Sequence, residues 1–226
     1  MKFDDVLDLL IKSNKKVFNI YDAAKIMNKP VAYASLMLSK SKKVIRIERG
    51  RYFIKDTDIY EIASNIVYPS YISLHAGLQY YGLIDQNVIR YSVMTLKRHK
   101  NIDINMNLIE FIKLKREFFF GYVNKSNKYI ATPEKLFIDC LYFAVKFSLL
   151  KDTIKNAMTE NLINIGVLED YAIRSEKKLL INKLGFLLSN IDIDSERLLP
   201  YRYQNYVHIS DTGDNGINKK WRVVYD

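Results

Sequence analysis

The 226-residue sequence predicts an α+β fold with a small N-terminal winged helix-turn-helix domain and a larger C-terminal domain of mixed helices and strands. Two short helical patterns separated by Pro30 are followed by a hairpin pattern centred on Gly50, and this order is typical of a winged helix. Tyr68-Pro69-Ser70 then interrupts a helical pattern, and helix and strand periodicities alternate beyond it. We therefore expect one domain at residues 1–67 and a second at residues 68–226.

Three helices are predicted before the hairpin. Apolar side chains at helical spacing predict the first over residues 1–14. Asn19 is a favoured N-cap and predicts the start of the second, over residues 20–27. Pro30 ends that helix because it lacks a backbone N–H, but it suits the first turn of the third helix, over residues 31–40.

The third helix is the predicted base-reading element. Val31, Ala34 and Leu38 share one face at helical spacing, so we expect that face to be buried. The opposite face, together with the residue at the helix entrance, supplies the candidate base contacts: Lys29, Tyr33, Leu36 and Lys40.

A hairpin is predicted from strands at residues 44–48 and 51–54, because Gly50 between them tolerates the positive φ of a tight turn. With Arg49 and Gly50 as the loop, three pairs of residues should face each other: Ile47 and Tyr52, Ile45 and Ile54, and Glu48 and Arg51. The arginines of this wing are candidate phosphate contacts: Arg46, Arg49 and Arg51.

Positive charge is concentrated in this region. Residues 25–55 contain nine Lys and Arg residues and one acid, Glu48, so they carry +8 of the net +10 of the chain. Lys and Arg close to a nucleic-acid backbone release condensed counterions, so this concentration favours DNA binding. Lys42 and Lys43, between the third helix and the hairpin, complete the candidate DNA-binding set. A solvated basic surface or a protein-docking module would show a similar pattern.

The remaining elements follow from periodicity and capping residues. Helices are predicted at residues 58–67, 73–81, 152–159, 168–175 and 176–188. Strands are predicted at residues 88–96, 108–115, 118–123 and 220–225. Ser73 is the expected cap of the helix that it begins, and Gly82 follows the end of that helix.

A helix predicted at residues 133–147 has the strongest start signal in the chain. Thr132 can cap it, Pro133 suits its first position and Glu134 is an acid in its first turn. Its apolar side chains form a broad face that we expect to be buried: Leu136, Phe137, Cys140, Leu141, Ala144 and Val145. The chain has one cysteine, so no intramolecular disulfide can form, and a buried apolar role is expected for it.

Composition bounds the class of protein. A hydrophobic content of 49% and an aromatic content of 13% suffice for packed cores. No apolar segment of signal-peptide type follows Met1, and the longest apolar region, residues 136–150, is short for a membrane span and contains Asp139 and Lys146. We therefore expect a soluble, cytoplasmic protein without membrane contact.

Catalytic patterns are weak. The three histidines are far apart, with no Cys or carboxylate at zinc-ligand spacing: His75, His99 and His208. Asp192, Asp194 and Glu196 could form a magnesium cluster, but acids alternating in a loop are more often solvated. Phosphate-binding glycine motifs, nucleophile elbows and kinase motifs are absent. We expect no metal, no cofactor, no catalytic residues and no enzymatic activity.

Five segments carry a resemblance to a known family: YISLHAGLQYYGLI (71–84), FFGY (119–122), IATPEKL (130–136), LGFLL (184–188) and KWRV (220–223). Together with the N-terminal pattern, they make the chain similar to the AbiEi antitoxins over nearly its whole length. The resemblance implies a transcriptional autorepressor and antitoxin of a type IV toxin–antitoxin, or abortive-infection, operon. It also implies that the N-terminal domain binds inverted repeats in its own operator DNA, and that the second domain counteracts a nucleotidyltransferase-like toxin. The tail, residues 201–226, departs from the family because it is longer and contains a tyrosine-rich segment at residues 201–206.

Two alternatives remain open. The first is an RNA-binding or toxin-binding module without operator specificity, since the aromatic groups at residues 118–120 and 201–206 could stack on unpaired bases. Core and interface packing explains these aromatic residues more simply. The second is a metal-dependent nucleic-acid enzyme that uses acids of the second domain.

Overall fold

The computed structural model describes residues 3–226 as a mixed α+β structure with three sheets in that range. Its first six elements are α1 (Phe3–Lys12), β1 (Val17–Asn19), α2 (Ile20–Met27), α3 (Val31–Lys40), β2 (Val44–Glu48) and β3 (Arg51–Ile54). The bounds predicted for the second and third helices and for the two hairpin strands are confirmed. The helix predicted from residue 1 is observed from Phe3, and Met1 and Lys2 lie outside the described residues.

Local hydrogen bonds explain the bounds of α2. The side-chain oxygen of Asn19 accepts hydrogen bonds from the N–H groups of Tyr21 and Asp22, at 2.9 and 3.0 Å. Asn28 ends the helix in the left-handed conformation, with φ of 50°. Pro30 then stands at the N-cap of α3 with φ of −56°, so the break between the two helices lies where the sequence predicts it.

The hairpin register differs from the prediction. The predicted pairing of Ile47 with Tyr52 and of Ile45 with Ile54 is wrong. A β-bulge after Arg46 inserts Ile47 as an extra residue, which shifts the strand by one position. The observed pairs are Val44 and Ile54, Ile45 and Phe53, Arg46 and Tyr52, and Glu48 and Arg51, of which the last was predicted.

The three-stranded sheet, ordered β1-β3-β2, contributes to two hydrophobic cores. On β3, Tyr52 belongs to a small N-terminal core and the adjacent Phe53 to a larger core, because side chains alternate between the faces of a strand. The N-terminal core contains Val6, Leu7, Leu10, Phe18, Ala23, Leu38, Val44 and Tyr52. The hairpin is therefore anchored on both of its faces.

The larger region begins with α4 (Ile59–Asn65), whose buried Ile62 and Ala63 belong to the larger core. Its next elements are β4 (Ser70–Ser73), α5 (Leu74–Tyr80), β5 (Arg90–Thr95), β6 (Ile102–Ile104), β7 (Asn107–Lys113), β8 (Tyr122–Lys125) and β9 (Lys128–Ala131). The strands form one sheet in the order β6-β7-β5-β4-β9-β8, with β5 and β7 parallel to each other. Packing joins α4 to this region, and the domain boundary predicted after residue 67 stays a prediction.

Two predictions for this region are wrong. The strand predicted at residues 118–123 is wrong over residues 118–121, where the chain completes a 3₁₀ helix (Arg116–Phe118) and continues as an irregular segment in which Gly121 has φ of 68°; Tyr122 and Val123 do lie in a strand, β8. Ser73 does not cap α5, because its hydroxyl donates a hydrogen bond to Asp139 Oδ2 at 2.8 Å. Strands β4, β6 and β9 are not predicted, since segments of three or four residues are too short to show the two-residue alternation of apolar and polar side chains.

The last part of the chain contains α6 (Pro133–Tyr142), α7 (Phe147–Thr159), α8 (Ile165–Arg174), α9 (Lys178–Ser189), a 3₁₀ helix (Glu196–Tyr201), β10 (Val207–Ile209), β11 (Gly216–Asn218) and β12 (Val223–Tyr225). The final three strands form a sheet in the order β10-β12-β11. The helices predicted at residues 152–159, 168–175 and 176–188 correspond to α7, α8 and α9. In residues 3–226 no helix is both long enough and apolar enough to cross a membrane.

Helix α6 begins as predicted but ends early. Thr132 caps it by accepting a hydrogen bond from the N–H of Lys135 at 3.3 Å. The helix stops at Tyr142, five residues before the predicted end, because Ala144 adopts the left-handed conformation with φ of 53°. Ala144 is exposed as a result, whereas it was expected to be buried.

Candidate nucleic-acid interface

Helix α3 is anchored by one face. Ala34 and Leu38 are buried on that face, as the sequence predicts. Val31 was predicted on the same face but is 37% exposed, because it occupies the first helical position and is not part of the N-terminal core.

The opposite face of α3 carries the predicted base-reading residues. Tyr33 and Leu36 keep 45% and 51% of their surfaces exposed, and Lys29 and Lys40 are exposed at the two ends of the helix. An exposed tyrosine and leucine between two lysines form a surface with an apolar centre and cationic ends. Such a surface can contact base edges and thymine methyl groups at its centre while the lysines contact phosphates.

The tip of the hairpin is fixed to the start of α2. The N–H of Ile20 donates a hydrogen bond to the carbonyl of Gly50 at 2.8 Å, and Gly50 adopts φ of 77°. A residue with a Cβ atom would be strained at that φ, so glycine suits the position. The exposed Arg49 is therefore presented from a turn that a second element supports.

The other two wing arginines make local contacts. Arg46 Nε donates to the backbone carbonyl of Glu48 at 3.1 Å, and Arg51 Nε lies 3.2 Å from Glu48 Oε1. A guanidinium group has five N–H donors, so each of these contacts leaves donors for a phosphate. Glu48, the acid in the basic region, orders the wing and neutralises part of its charge.

Lys42 and Lys43 lie between α3 and β2, and both are exposed. Lys43 Nζ is 2.8 Å from Asp4 Oδ1 on α1, but the two side chains are 63% and 66% exposed, so water weakens this ion pair. A phosphate can replace Asp4 as the partner of Lys43. Within residues 3–226, the other predicted DNA-binding cations except Arg51 form no ion pair.

The fold adds a second group of basic residues beside the wing, which we call the strand-end cluster. It follows β5 and β7, which are parallel and therefore end at the same edge of the sheet. His99 places this edge against the hairpin, since its Nε2 lies 3.3 Å from Glu48 Oε1 and its ring centroid lies 4.6 Å from that of Phe111. The cluster consists of six exposed side chains: Lys97, Arg98, Lys100, Lys113, Lys115 and Arg116.

Charge density along the sequence does not predict the strand-end cluster, because its two segments are far from the hairpin in the chain. Residues 97–100 and 113–116 lie more than forty positions after the wing, and only the fold brings the first of these segments to Glu48. The run Lys97-Arg98-His99-Lys100 was the available signal, since basic runs mark nucleic-acid surfaces.

The structure gives the surroundings of the acids and the cysteine that were considered for catalysis. Among residues 3–226, no group of three or more His, Cys, Asp or Glu side chains could hold a metal ion. Asp194 and Glu196 lie 3.4 and 3.5 Å from Lys220 Nζ, so a cation of the chain already faces them. Cys140 is buried as predicted, and burial raises the pKa of its thiol, which makes it a poor nucleophile.

A buried polar network lies under α6. Lys135 and Asp139 are fully buried and form an ion pair, and Asp139 also accepts hydrogen bonds from the hydroxyl groups of Ser73 and Tyr71, at 2.8 and 3.2 Å. The Lys135 ammonium lies 3.9 Å from the centroid of the Phe118 ring. Burial raises the pKa of Asp139 and lowers that of Lys135. Because solvent does not reach either side chain, we interpret the network as structural.

No family model of known proteins matches this chain, and no curated protein matches it either.

Proposed function

We propose that the protein is a DNA-binding transcriptional repressor whose N-terminal region, residues 1–67, acts as a winged helix-turn-helix domain. The supporting observation is that one exposed face of α3 presents Tyr33 and Leu36 between Lys29 and Lys40, next to a basic hairpin. An α-helix about 10–12 Å wide fits the major groove of B-DNA, which is about 12 Å wide.

In this mechanism the two parts of the interface have different tasks. Tyr33 and Leu36 contact base edges in the major groove and give sequence preference. Lys29 before α3, Lys40 at its end, Lys42, Lys43 and the wing arginines contact phosphates and fix the register of the protein on the duplex. The strand-end cluster lengthens the path of phosphate contacts beyond the wing.

Footprinting on the DNA upstream of the gene tests this proposal. We expect protection of a repeated sequence, and weaker binding of duplex RNA, whose deep, narrow major groove does not admit α3. Arg49→Glu should weaken binding to all DNA sequences, whereas Lys155→Glu, a matched change on α7, should not. Equal affinity for duplex RNA and DNA would favour the RNA-binding alternative and contradict the proposal.

We also propose, from the resemblance to AbiEi antitoxins, that the same cytoplasmic protein counteracts a nucleotidyltransferase-like toxin through residues 68–226. The full-length Arg49→Glu variant separates the two activities, because Arg49 lies on the wing and outside this region. It should fail to repress a reporter driven by the upstream DNA but still rescue cells that express the toxin. Loss of rescue by this folded variant would show that the two activities are not separable.

A further inference from the structure

A cavity of about 760 Å³ lies between the end of α6, the start of α9 and the tyrosine-rich tail. Leu141, Leu180 and Val207 are buried and give it an apolar floor. Small-molecule sites in proteins are commonly apolar cavities of about 300–1,000 Å³ with a few polar groups at defined positions. The size and the floor therefore suit a small molecule, and the proposed DNA interface does not use this part of the chain.

The rim of this cavity is cationic. Lys177, Lys178 and Lys183 line it, and none of them forms an ion pair within the described range of residues. Glu176 is the acid among the lining residues, and His208, which also lines the cavity, lies 3.4 Å from Asp226. Three lysines against one carboxylate favour a ligand with more than one negative charge.

Lys183 is shared between two cavities. It lines the large cavity and also an adjoining cavity of about 130 Å³, which Lys146 and Asp211 line as well. Desolvation lowers the pKa of Lys183, as expected for an ammonium group that is partly removed from water without a carboxylate partner. An anionic ligand would supply the missing partner.

Two tyrosines give the cavity aromatic surface. Tyr142 and Tyr203 are 44% and 36% exposed, and both line it. Buried Asn182 fixes Tyr203 in place, because its Oδ1 accepts from the Tyr203 N–H at 2.7 Å and its Nδ2 donates to the Tyr203 carbonyl at 3.2 Å. The backbone that carries this aromatic side chain is therefore tied to a buried residue of α9.

We propose that this cavity binds a nucleoside phosphate, with the base against Tyr142 or Tyr203 and the phosphates on Lys177, Lys178 and Lys183. Aromatic faces stack on any base, and the compact charge of lysine suits phosphate oxygens. Inorganic phosphate would leave the apolar floor unused, and an uncharged nucleoside would leave the lysines without a partner. A nucleoside phosphate uses both features.

Calorimetric titration of the full-length protein with ADP, GDP, CDP and UDP tests the proposal. At least one diphosphate should bind more tightly than its nucleoside and than inorganic phosphate. Lys183→Met should weaken the binding about 10-fold or more, since a hydrogen bond to a charged group is worth about 1.5–3 kcal/mol. Lys155→Met, which removes an exposed lysine of α7 outside both cavities, should leave the dissociation constant unchanged.

Three results would overturn the proposal. They are the absence of binding by all four diphosphates, equal affinity for inorganic phosphate and for the diphosphates, and equal effects of Lys183→Met and Lys155→Met. The melting temperatures of both variants without ligand show whether folding is retained.

Tyr203→Ala provides a second test, because it should weaken diphosphate binding while leaving the weaker binding of inorganic phosphate unchanged. Competition between the bound diphosphate and a 5′-phosphorylated dinucleotide shows whether the cavity also accepts the 5′ end of a nucleic-acid strand. Binding of a free nucleotide or of a strand end would agree with the proposal.

Discussion

Replacing Asp139 by alanine should destabilise the protein by about 3–5 kcal/mol, the usual cost of removing one partner of a buried ion pair. Asp139 is fully buried and accepts hydrogen bonds from Lys135, from Ser73 at 2.8 Å and from Tyr71 at 3.2 Å. Its removal leaves one ammonium group and two hydroxyl groups buried without this acceptor. Burial already lowers the pKa of Lys135, so loss of its proton limits the cost.

The double variant Lys135→Met, Asp139→Leu provides the decisive comparison. It removes both charges and leaves apolar side chains of similar length, so we expect it to be about 2 kcal/mol or more stable than Asp139→Ala. Urea unfolding of the full-length variants, followed by circular dichroism, gives the free energies. Suppose instead that the double variant loses as much free energy of unfolding as Lys135→Met and Asp139→Leu lose together. In that case the two residues do not act as a pair, and the reasoning is refuted.

Two further substitutions test the packing around α6 and α9, and a third tests the charge balance of the buried pair. Leu141→Ala should cost roughly 2–5 kcal/mol in the same urea assay, because Leu141 is 3% exposed and its removal leaves a cavity. Gly185→Ala should cost about 1–3 kcal/mol, since the added Cβ would lie 2.2 Å from Trp221 Cε3; an unchanged unfolding midpoint would show that the tryptophan moves freely. Lys135→Met removes the positive charge that faces Asp139. The pKa of Asp139, which burial already raises, should then rise further above the unfolded value of about 4. The unfolded carboxyl group then releases its proton first, so unfolding midpoints should fall as the pH rises from about 4 to the folded pKa, and a flat profile would exclude this.

The elements that the sequence predicts best are those with local causes. Asn19 caps α2 by accepting from N–H groups two and three residues later, and Gly50 adopts the positive φ of its turn, so neighbouring residues suffice to place both. The hairpin register is not local, because the bulge at Ile47 accompanies the packing of β3 against two cores. The end of α6 was missed because Ala144, and not a glycine, adopts the left-handed conformation there.

The candidate site also has features with local causes and features that depend on the whole fold. Exposure of Tyr33 and Leu36 followed from helical spacing alone, since Ala34 and Leu38 fix the buried face of α3. The strand-end cluster depends on the parallel pairing of β5 and β7 and on the contact of His99 with Glu48, neither of which spacing along the chain reveals.

The segments that carry the family resemblance pack against one another. A Cβ on Gly77 would lie 2.6 Å from Leu136, and one on Gly121 would lie 2.8 Å from Lys135 Cβ. A Cβ on Gly185 would likewise lie too close to Trp221, so close packing explains all three glycines. Core packing therefore accounts for these glycines, whereas the proposed DNA contacts rest on the exposed residues of α3 and the hairpin.

The salt dependence of DNA affinity, measured by fluorescence anisotropy for the wild-type protein and for Tyr33→Ala and Arg49→Ala, tests the division between base reading and phosphate binding most directly. For the wild type we expect a log–log slope of about −4 to −8, corresponding to roughly five to eight phosphate contacts. Arg49→Ala should reduce the slope by about 1 and weaken all sequences alike, whereas Tyr33→Ala should keep the slope and lose about 1–3 kcal/mol of discrimination between the upstream DNA and a scrambled duplex. A slope near zero, or a loss of discrimination in Arg49→Ala but not in Tyr33→Ala, would contradict these assignments.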